Sequence, residues 1–535
     1  MQKSFMLPRS IAYVFVALVC VGIRADYSCD DENNQCENED DLAVHLLQRR
    51  TGSPQRAGVE SAMASGLDEL GGRFPINTSI AETPMCTPLL DEGSSFTVLV
   101  QLGTATSGKP PQSLSLIVDT GSNAMVVNSC FCNLASPGSG CELYQPCFFD
   151  DPSVSPTFKM STLMGVELDY GSGAIECGVG TDYATFAATN ISAYMQDGLY
   201  LVRDRHELSV GKDFRGIVGL GIPPAPHGLA RELFTQKLFM EAAGVPRYSI
   251  CFNSGGIPGA LKTGMPPLQT TLTSIGVHHW GLGVNGLRAG STSSRVITCS
   301  ADMEGAGTET PCGMVPDSGT TQILGPPDQV VALLAGLCAE WPRCVRMAES
   351  AGLSPSADLF TFVLSQCKDW LTPENGIHEV PSIFMDLMGA NDGEAQTIEL
   401  TAWSWVVEVE STQELSHRSS PTRSMVERYE VNSTAHSSPI CVADIDTTVY
   451  PTLKNGPVWI LGEALFFQGT VSYDITTYPP KMGFDMDVRC NCPPPGVPAL
   501  LDEGVEQQKD SKLGRTLRKT RGKPRVPKLN TSTPL

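Results

Sequence analysis

The sequence predicts an all-β protein of two lobes built alike, with a few short helices. Three observations carry this expectation. Short β-branched or alternating runs, among them "SSFTVLVQLGT", "QSLSLIVDTGS", "FRGIVGLG" and "RYSICFNSGG", are punctuated by Gly, Pro and Asn. Helix-like 3.6-residue spacing is rare; it occurs in "ARELFTQKLFMEAAG" (230–244) and "PDQVVALLAGLCAEW" (327–341), one in each half. A pattern also recurs in the same order: "LIVDTGS" is followed by "GIVGLG", and "GMVPDSGTT" by "WILGEALF".

From the start of the chain, Lys3 and Arg9 precede "IAYVFVALVCVGI", a 13-residue apolar run. A spanning helix needs about 20 such residues, so residues 1–25 are expected to be a signal peptide, cleaved after Gly22 or Ala25. The acidic "DYSCDDENNQCENEDD" and the Gly-, Ser- and Ala-rich stretch after it cannot bury much. Residues 26–90 are therefore expected to be a propeptide or a flexible lead. The texture changes at Ser94, and the lobes are expected to span 91–265 and 266–490. Within the second, the polar, Ser-rich 407–439 is expected to be a long surface loop. Residues 491–535 are expected to be a basic disordered tail.

At 535 residues the chain is too long for one compact domain. Its formal charge is −21, and the last 25 residues hold eight Lys or Arg and no acid, so removing that +8 leaves −29 on the body. Such a body is a poor partner for nucleic acid. Eighteen cysteines suit an oxidising compartment. Loss of Cys20 with the signal would leave an odd number, so at least one thiol is free, paired with another chain or lost with a propeptide.

The repeated motif asks what a carboxylate does at the end of an apolar strand. Asp119 and Asp317 occupy equivalent places, and two lobes built alike would bring them face to face across a cleft. Two carboxyls about 3 Å apart share one proton, so one acts as base while the other acts as acid. A water between them can then attack an amide carbonyl without a metal or cofactor. Gly121 and Gly319 are expected to allow the turns that bring the carboxylates close, and Ser122 and Thr320 to bond their outer oxygens. One Asp-Thr/Ser-Gly triplet is merely a turn ending a strand; two with matching surroundings argue for a site.

At these residues the chain resembles the pepsin-like aspartic proteases, over roughly 92–488. The resemblance implies a two-lobed pepsin-like β-barrel fold and an aspartic-type endopeptidase with catalytic Asp119 and Asp317. Thr120 and Ser318 would be buried hydroxyls locking the two loops together. "DYGSGAIECG" looks like the family's flap, a substrate-binding hairpin with Tyr170 and Gly171 at its tip, and "FDDPSVSPTF" like the segment before it. "WILGEALFFQGTVSYDITTYPPKMGF" looks like the C-terminal signature. Two positions depart from the pattern. Val126 stands where many relatives carry a Trp that supports the flap Tyr, so the support for Tyr170 is expected to be different, as it is in beta-secretase-like members. Pro316 directly before Asp317 lacks an N–H, which puts the hydrogen bonds of the second loop in question.

Cys130, Cys132, Cys141 and Cys147 crowd an insertion similar to that of the nepenthesin-type and plasmepsin V-like branches. Such a cluster could bind zinc, but disulfides fit the spacing and compartment better. Family position implies a Cys367–Cys441 bridge; Cys299 with Cys312 and Cys338 with Cys344 are further expected pairs. Asn77, Asn190, Asn432 and Asn530 begin N-x-S/T sequons. The eight histidines, His278 and His279 included, show no metal-binding spacing and are expected to be surface or structural residues. The expectation is a secreted or acidic-compartment monomeric zymogen acting on polypeptide, without cofactor, metal, nucleic-acid partner or integral membrane span. The alternative is a catalytically inactive binding protein on the same fold, kept open by Pro316.

Overall fold

The computed structural model describes residues 84–492, apart from 107, 135–139, 142–144, 163–164, 172, 206–213, 224–237, 291–294, 304–307, 372–375, 411–438, 453 and 487–489, together with 518–519. The expected signal peptide, nearly all of the lead, the first part of the 230–244 helix, most of the 407–439 loop, and Asn77, Asn432 and Asn530 lie outside the described residues.

The chain is mostly β-sheet with few helices, in the bilobal pepsin-like arrangement. Eight strands shape the site: β1 (Gln112–Asp119), β2 (Met125–Asn128), β3 (Val166–Tyr170), β4 (Gly173–Phe186), β5 (Gly216–Gly219), β6 (Gly313–Pro316), β7 (Ile323–Gly325) and β8 (Val458–Leu461). β1 runs parallel to β5 with Asp119 opposite Gly219, and β5 is antiparallel to β2. The chain thus enters on one side of β5 and leaves on the other. The second lobe repeats the device: β6 is parallel to β8, and β8 is antiparallel to β7. Strands inserted this way are covered on both faces, so they read as unbroken apolar runs rather than alternating ones. Val118, Val127, Val218, Met314, Trp459 and Leu461 are accordingly buried.

Both halves contribute to one sheet, in which six consecutive strands run antiparallel. Their order is Leu272–Thr273, Lys481–Asp485, Thr470–Asp474, Arg247–Cys251, Gly259–Thr263 and Met85–Asp91. The halves meet where Arg247–Cys251 lies against Thr470–Asp474, and there the buried rings of Tyr248 and Tyr473 stack with centroids 5.1 Å apart. The strand Met85–Asp91 starts inside the stretch expected to be the lead. Pro88 disguised it, because a proline within a short run argues against a strand.

Helix Pro327–Glu340 forms as the spacing predicts, with Pro327 in its first turn and Val330, Leu333, Leu334, Leu337 and Cys338 buried. Phe239–Ala242 is helical within the other expected segment. Among the helical segments not anticipated, three follow Pro327–Glu340 closely: Pro342–Ala351, Ala357–Ser365 and Cys367–Trp370. The first has few apolar residues, and the other two are so short that periodicity hardly registers. They pack as a cap on the second lobe, anchored by Trp341 against Phe360 and Trp370.

Seven disulfides join the described cysteines. Cys130–Cys147 and Cys132–Cys141 occupy all four sulfurs of the insertion. Cys299–Cys312, Cys338–Cys344 and Cys367–Cys441 pair as expected. Cys86–Cys492 clips the end of the described fold to its beginning, and Cys251–Cys490 clips it to the middle. Cys177 is a buried free thiol on β4, and burial pushes its pKa up to about 12.

Candidate active site

The loops leaving β1 and β6 meet, and their hydrogen bonds match pairwise. Ser122 Oγ donates to Asp119 Oδ2 at 2.5 Å and Gly121 N donates to Oδ1 at 2.8 Å. Thr320 Oγ1 donates to Asp317 Oδ2 at 2.6 Å and Gly319 N donates to Oδ1 at 2.9 Å. Each carboxylate therefore has one oxygen on a hydroxyl and one on a backbone N–H.

Behind them the hydroxyls of Thr120 and Ser318, both fully buried, cross from one loop to the other. Thr120 Oγ1 donates to Pro316 O at 2.9 Å and accepts from Ser318 N at 3.0 Å. Ser318 Oγ donates to Val118 O at 2.8 Å and accepts from Thr120 N at 3.0 Å. Four bonds thus fix the spacing of the two strand ends that carry the acids.

The glycines act differently from the expectation. Neither Gly121 nor Gly319 is in the left-handed region, so turning is not what requires them. Clearance is: a Cβ on Gly121 would lie 2.5 Å from Asp317 Cγ, and one on Gly319 2.5 Å from Asp119 Oδ1. Each glycine is the surface on which the opposite carboxylate rests. Burial, reinforced by the negative charge of Asp317, holds Asp119 well above the usual carboxylate range, although Ser122 and Gly121 pull it down. A proton is therefore retained on Asp119 where an ordinary aspartic acid would have lost it.

Pro316 does not disturb this arrangement. Asp317 N donates to Leu461 O on β8 at 2.9 Å, so the preceding residue's nitrogen faces the other side of β6. On that side the neighbouring strand, Leu282–Ala289, begins opposite Met314 and leaves Pro316 without a cross-strand partner. The missing N–H removes no ladder bond. The question raised from sequence is answered by where the sheet ends.

β3 and β4 form a hairpin in which Tyr170 pairs with Gly173, which puts Tyr170 and Gly171 at its tip. Val126 is buried in an apolar cluster with Ile175, Cys177, Val202 and Ile217, and Tyr170 packs against that cluster. That apolar cluster is what Tyr170 leans on, beside the valine that replaces an indole. Before the hairpin, Ser155 and Thr157 donate to the buried Asp182 at 2.7 and 2.5 Å, fixing that segment to β4.

One neighbour was missed. His279 Nδ1 lies 2.8 Å from Gly121 O, and its Nε2 lies 2.8 Å from the hydroxyl of Tyr450. Trp280, next to it, is buried and donates to Leu220 O at 3.0 Å. A lone imidazole far along the chain from Gly121 gives no sequence signal of this contact.

The sequence profile of the eukaryotic aspartyl proteases matches residues 101–484. Cathepsin E of Cavia porcellus is 27% identical over 279 residues, covering 51% of this chain and 66% of that protein. Cathepsin E of Mus musculus is 29% identical over 286 residues, with the same coverage. Embryonic pepsinogen of Gallus gallus is 25% identical over 269 residues, covering 49% and 63%. The chain thus matches just under two thirds of the length of these relatives.

Proposed function

The chain belongs to the eukaryotic aspartyl protease family, and from that premise we propose that it is a secretory-pathway endopeptidase in which Asp119 and Asp317 activate water. The observation that carries this is the matched pair of carboxylates, each resting on the other's glycine and each held by a hydroxyl and an N–H.

In the proposed reaction Asp317 takes a proton from the attacking water while protonated Asp119 donates to the carbonyl oxygen of the scissile amide. Collapse of the tetrahedral intermediate delivers the proton on Asp317 to the leaving nitrogen and returns a hydroxyl proton to Asp119. No proton is gained or lost over the cycle. Tyr170 and Gly171 close over an extended polypeptide, and Ser122 and Thr320 hold the outer oxygens so that the inner ones face the water. The inactive-binding-protein reading drew on Pro316, and the intact bonds of the second loop leave it without that support. The four sulfurs that could have made a metal-dependent site are paired in disulfides.

The signal peptide expected from the sequence and the acidic body favour a secreted or acidic-compartment zymogen, monomeric in action. Asn190 is exposed on the turn between β4 and the strand Ser192–Asp204, where a glycan would be accommodated. The test is to express residues 26–535 through a secretory host and follow cleavage of an unfolded protein from about pH 3 to 8. Activity favoured by acid is expected, reduced at least about a thousandfold in Asp119→Asn and in Asp317→Asn with unfolding still cooperative. Wild-type turnover retained in Asp119→Asn would refute the dyad.

A further inference from the structure

We propose that His279 is a positioning residue for the dyad: it clamps the Gly121 carbonyl from the second lobe and couples that clamp to Tyr450 on the Asp317 side. The proposal rests on the catalytic reading above. It starts from proton accounting. A backbone carbonyl only accepts, so Nδ1 of His279 carries the proton that bonds Gly121 O at 2.8 Å. In the neutral ring Nε2 is then the acceptor, and Tyr450 donates its hydroxyl to it at 2.8 Å. The two rings meet edge-on, with centroids 5.9 Å apart.

Gly121 is the glycine whose Cα faces Asp317 and whose N–H holds Asp119. A bond to its carbonyl therefore restrains a residue that touches both acids, as Gly319 does from the other loop. The imidazole is itself held. Gly276 packs so tightly against the His279 carbonyl that a Cβ there would lie only 1.9 Å away, and Trp280 anchors the other side of the residue. Among the described residues no equivalent side chain holds the Gly319 carbonyl, so the clamp departs from the two-fold likeness of the loops.

The bond between His279 and Tyr450, unlike the clamp, is sensitive to pH. The ionisable groups facing the ring are Asp317, Tyr450 and His278. Burial lowers the pKa of His279 below its ordinary 6.5, with His278 adding to the lowering, while the Gly121 bond and Asp317 oppose it. Burial and the charge of Asp317 push the Tyr450 hydroxyl up to about 12, so it remains a neutral donor across the working range. When a second proton reaches Nε2, the Gly121 bond persists. Tyr450 must then accept from the ring, and its own O–H is released toward other acceptors. Two effects are thus separable, a clamp present at every pH and a Tyr450 hydroxyl redirected in acid.

The test uses the mature active protein and peptide kinetics from pH 3 to 7 on wild type, His279→Phe, His279→Asn and Tyr450→Phe. His279→Phe removes both bonds and is expected to lower kcat about tenfold, with KM changed less than twofold. His279→Asn can still donate to Gly121 O, so it is expected to recover most of kcat, while its pH profile loses the wild-type ionisation that lies below 6.5. Tyr450→Phe keeps the clamp and is expected to move that ionisation upward, because the neutral ring loses its donor. A merely structural role would lower stability without altering the shape of the pH profile. Equal kcat in His279→Phe and wild type, or equal losses in the Phe and Asn variants, would overturn the proposal while leaving the dyad standing. A folded wild type without proteolysis would overturn both readings at once.

Discussion

At Asp119, burial and the charge of Asp317 hold the carboxyl above its ordinary value of 3.8, and this has a thermodynamic consequence. A group whose pKa is raised by folding contributes stability that is complete below its unfolded value and is lost as pH rises through the folded one. Rising pH therefore weakens the fold that contains the dyad. Asp119→Asn fixes a neutral amide at the same place and is expected to melt above wild type at pH 7, by about 1–2 °C for each kcal/mol gained, since unfolding entropy grows with chain length. The difference should close as pH falls toward 4. Equal shifts at pH 4 and pH 7 in thermal scans would show that ionisation of Asp119 is not the cause. The acids, their hydroxyl partners and both glycines were legible in the sequence as repeated triplets. The reason for the glycines was not, because clearance from a residue almost two hundred positions away exists only after the lobes have met.

Among the elements, the strand ends β1 and β6 are tied by Thr120 and Ser318, and every one of their crossing bonds is buried. Ser318→Ala leaves the N–H of Thr120 and the carbonyl of Val118 without their partner, at a cost of about 1–3 kcal/mol. Ser318→Thr keeps the hydroxyl and should cost less if the added methyl is accommodated. Urea unfolding measures both, and a Ser318→Ala protein as stable as wild type would mean the loops are held by packing alone. The flap is the counterexample to easy legibility. The sequence shows Val126 where an indole is common, but it does not show what replaces the support. The answer, packing of Tyr170 against the apolar cluster around Val126, depends on how the hairpin of β3 and β4 folds over that cluster.

For the whole molecule, the two halves share one sheet, and two disulfides close it: Cys86–Cys492 spans 406 residues and Cys251–Cys490 spans 239. Their second cysteines are two positions apart, so with Cys251–Cys490 in place the other bridge mainly confines the segment 86–251. Loop-closure entropy grows only slowly with length, so this bridge remains worth about 2–4 kcal/mol. The double variant Cys86→Ser/Cys492→Ser is expected to unfold at correspondingly lower urea. An unchanged midpoint would place the stability of the first lobe in the sheet pairing itself. Neither bridge could be paired from sequence, since eighteen cysteines allow many connectivities.

By itself the sequence determined the β-rich class, the duplication and the identity of both acids, because these follow from local composition and from a motif that occurs twice. It also marked the places where the motif departs from its relatives. The tertiary structure alone decided what those departures mean. Pro316 is harmless because the adjoining strand has not yet begun, Val126 belongs to the apolar cluster that Tyr170 packs against, and His279 matters because it reaches the carbonyl of Gly121 from the other lobe. Each is a contact between segments far apart in the chain, and such contacts are set by packing and register, which leave no periodicity for a single sequence to display.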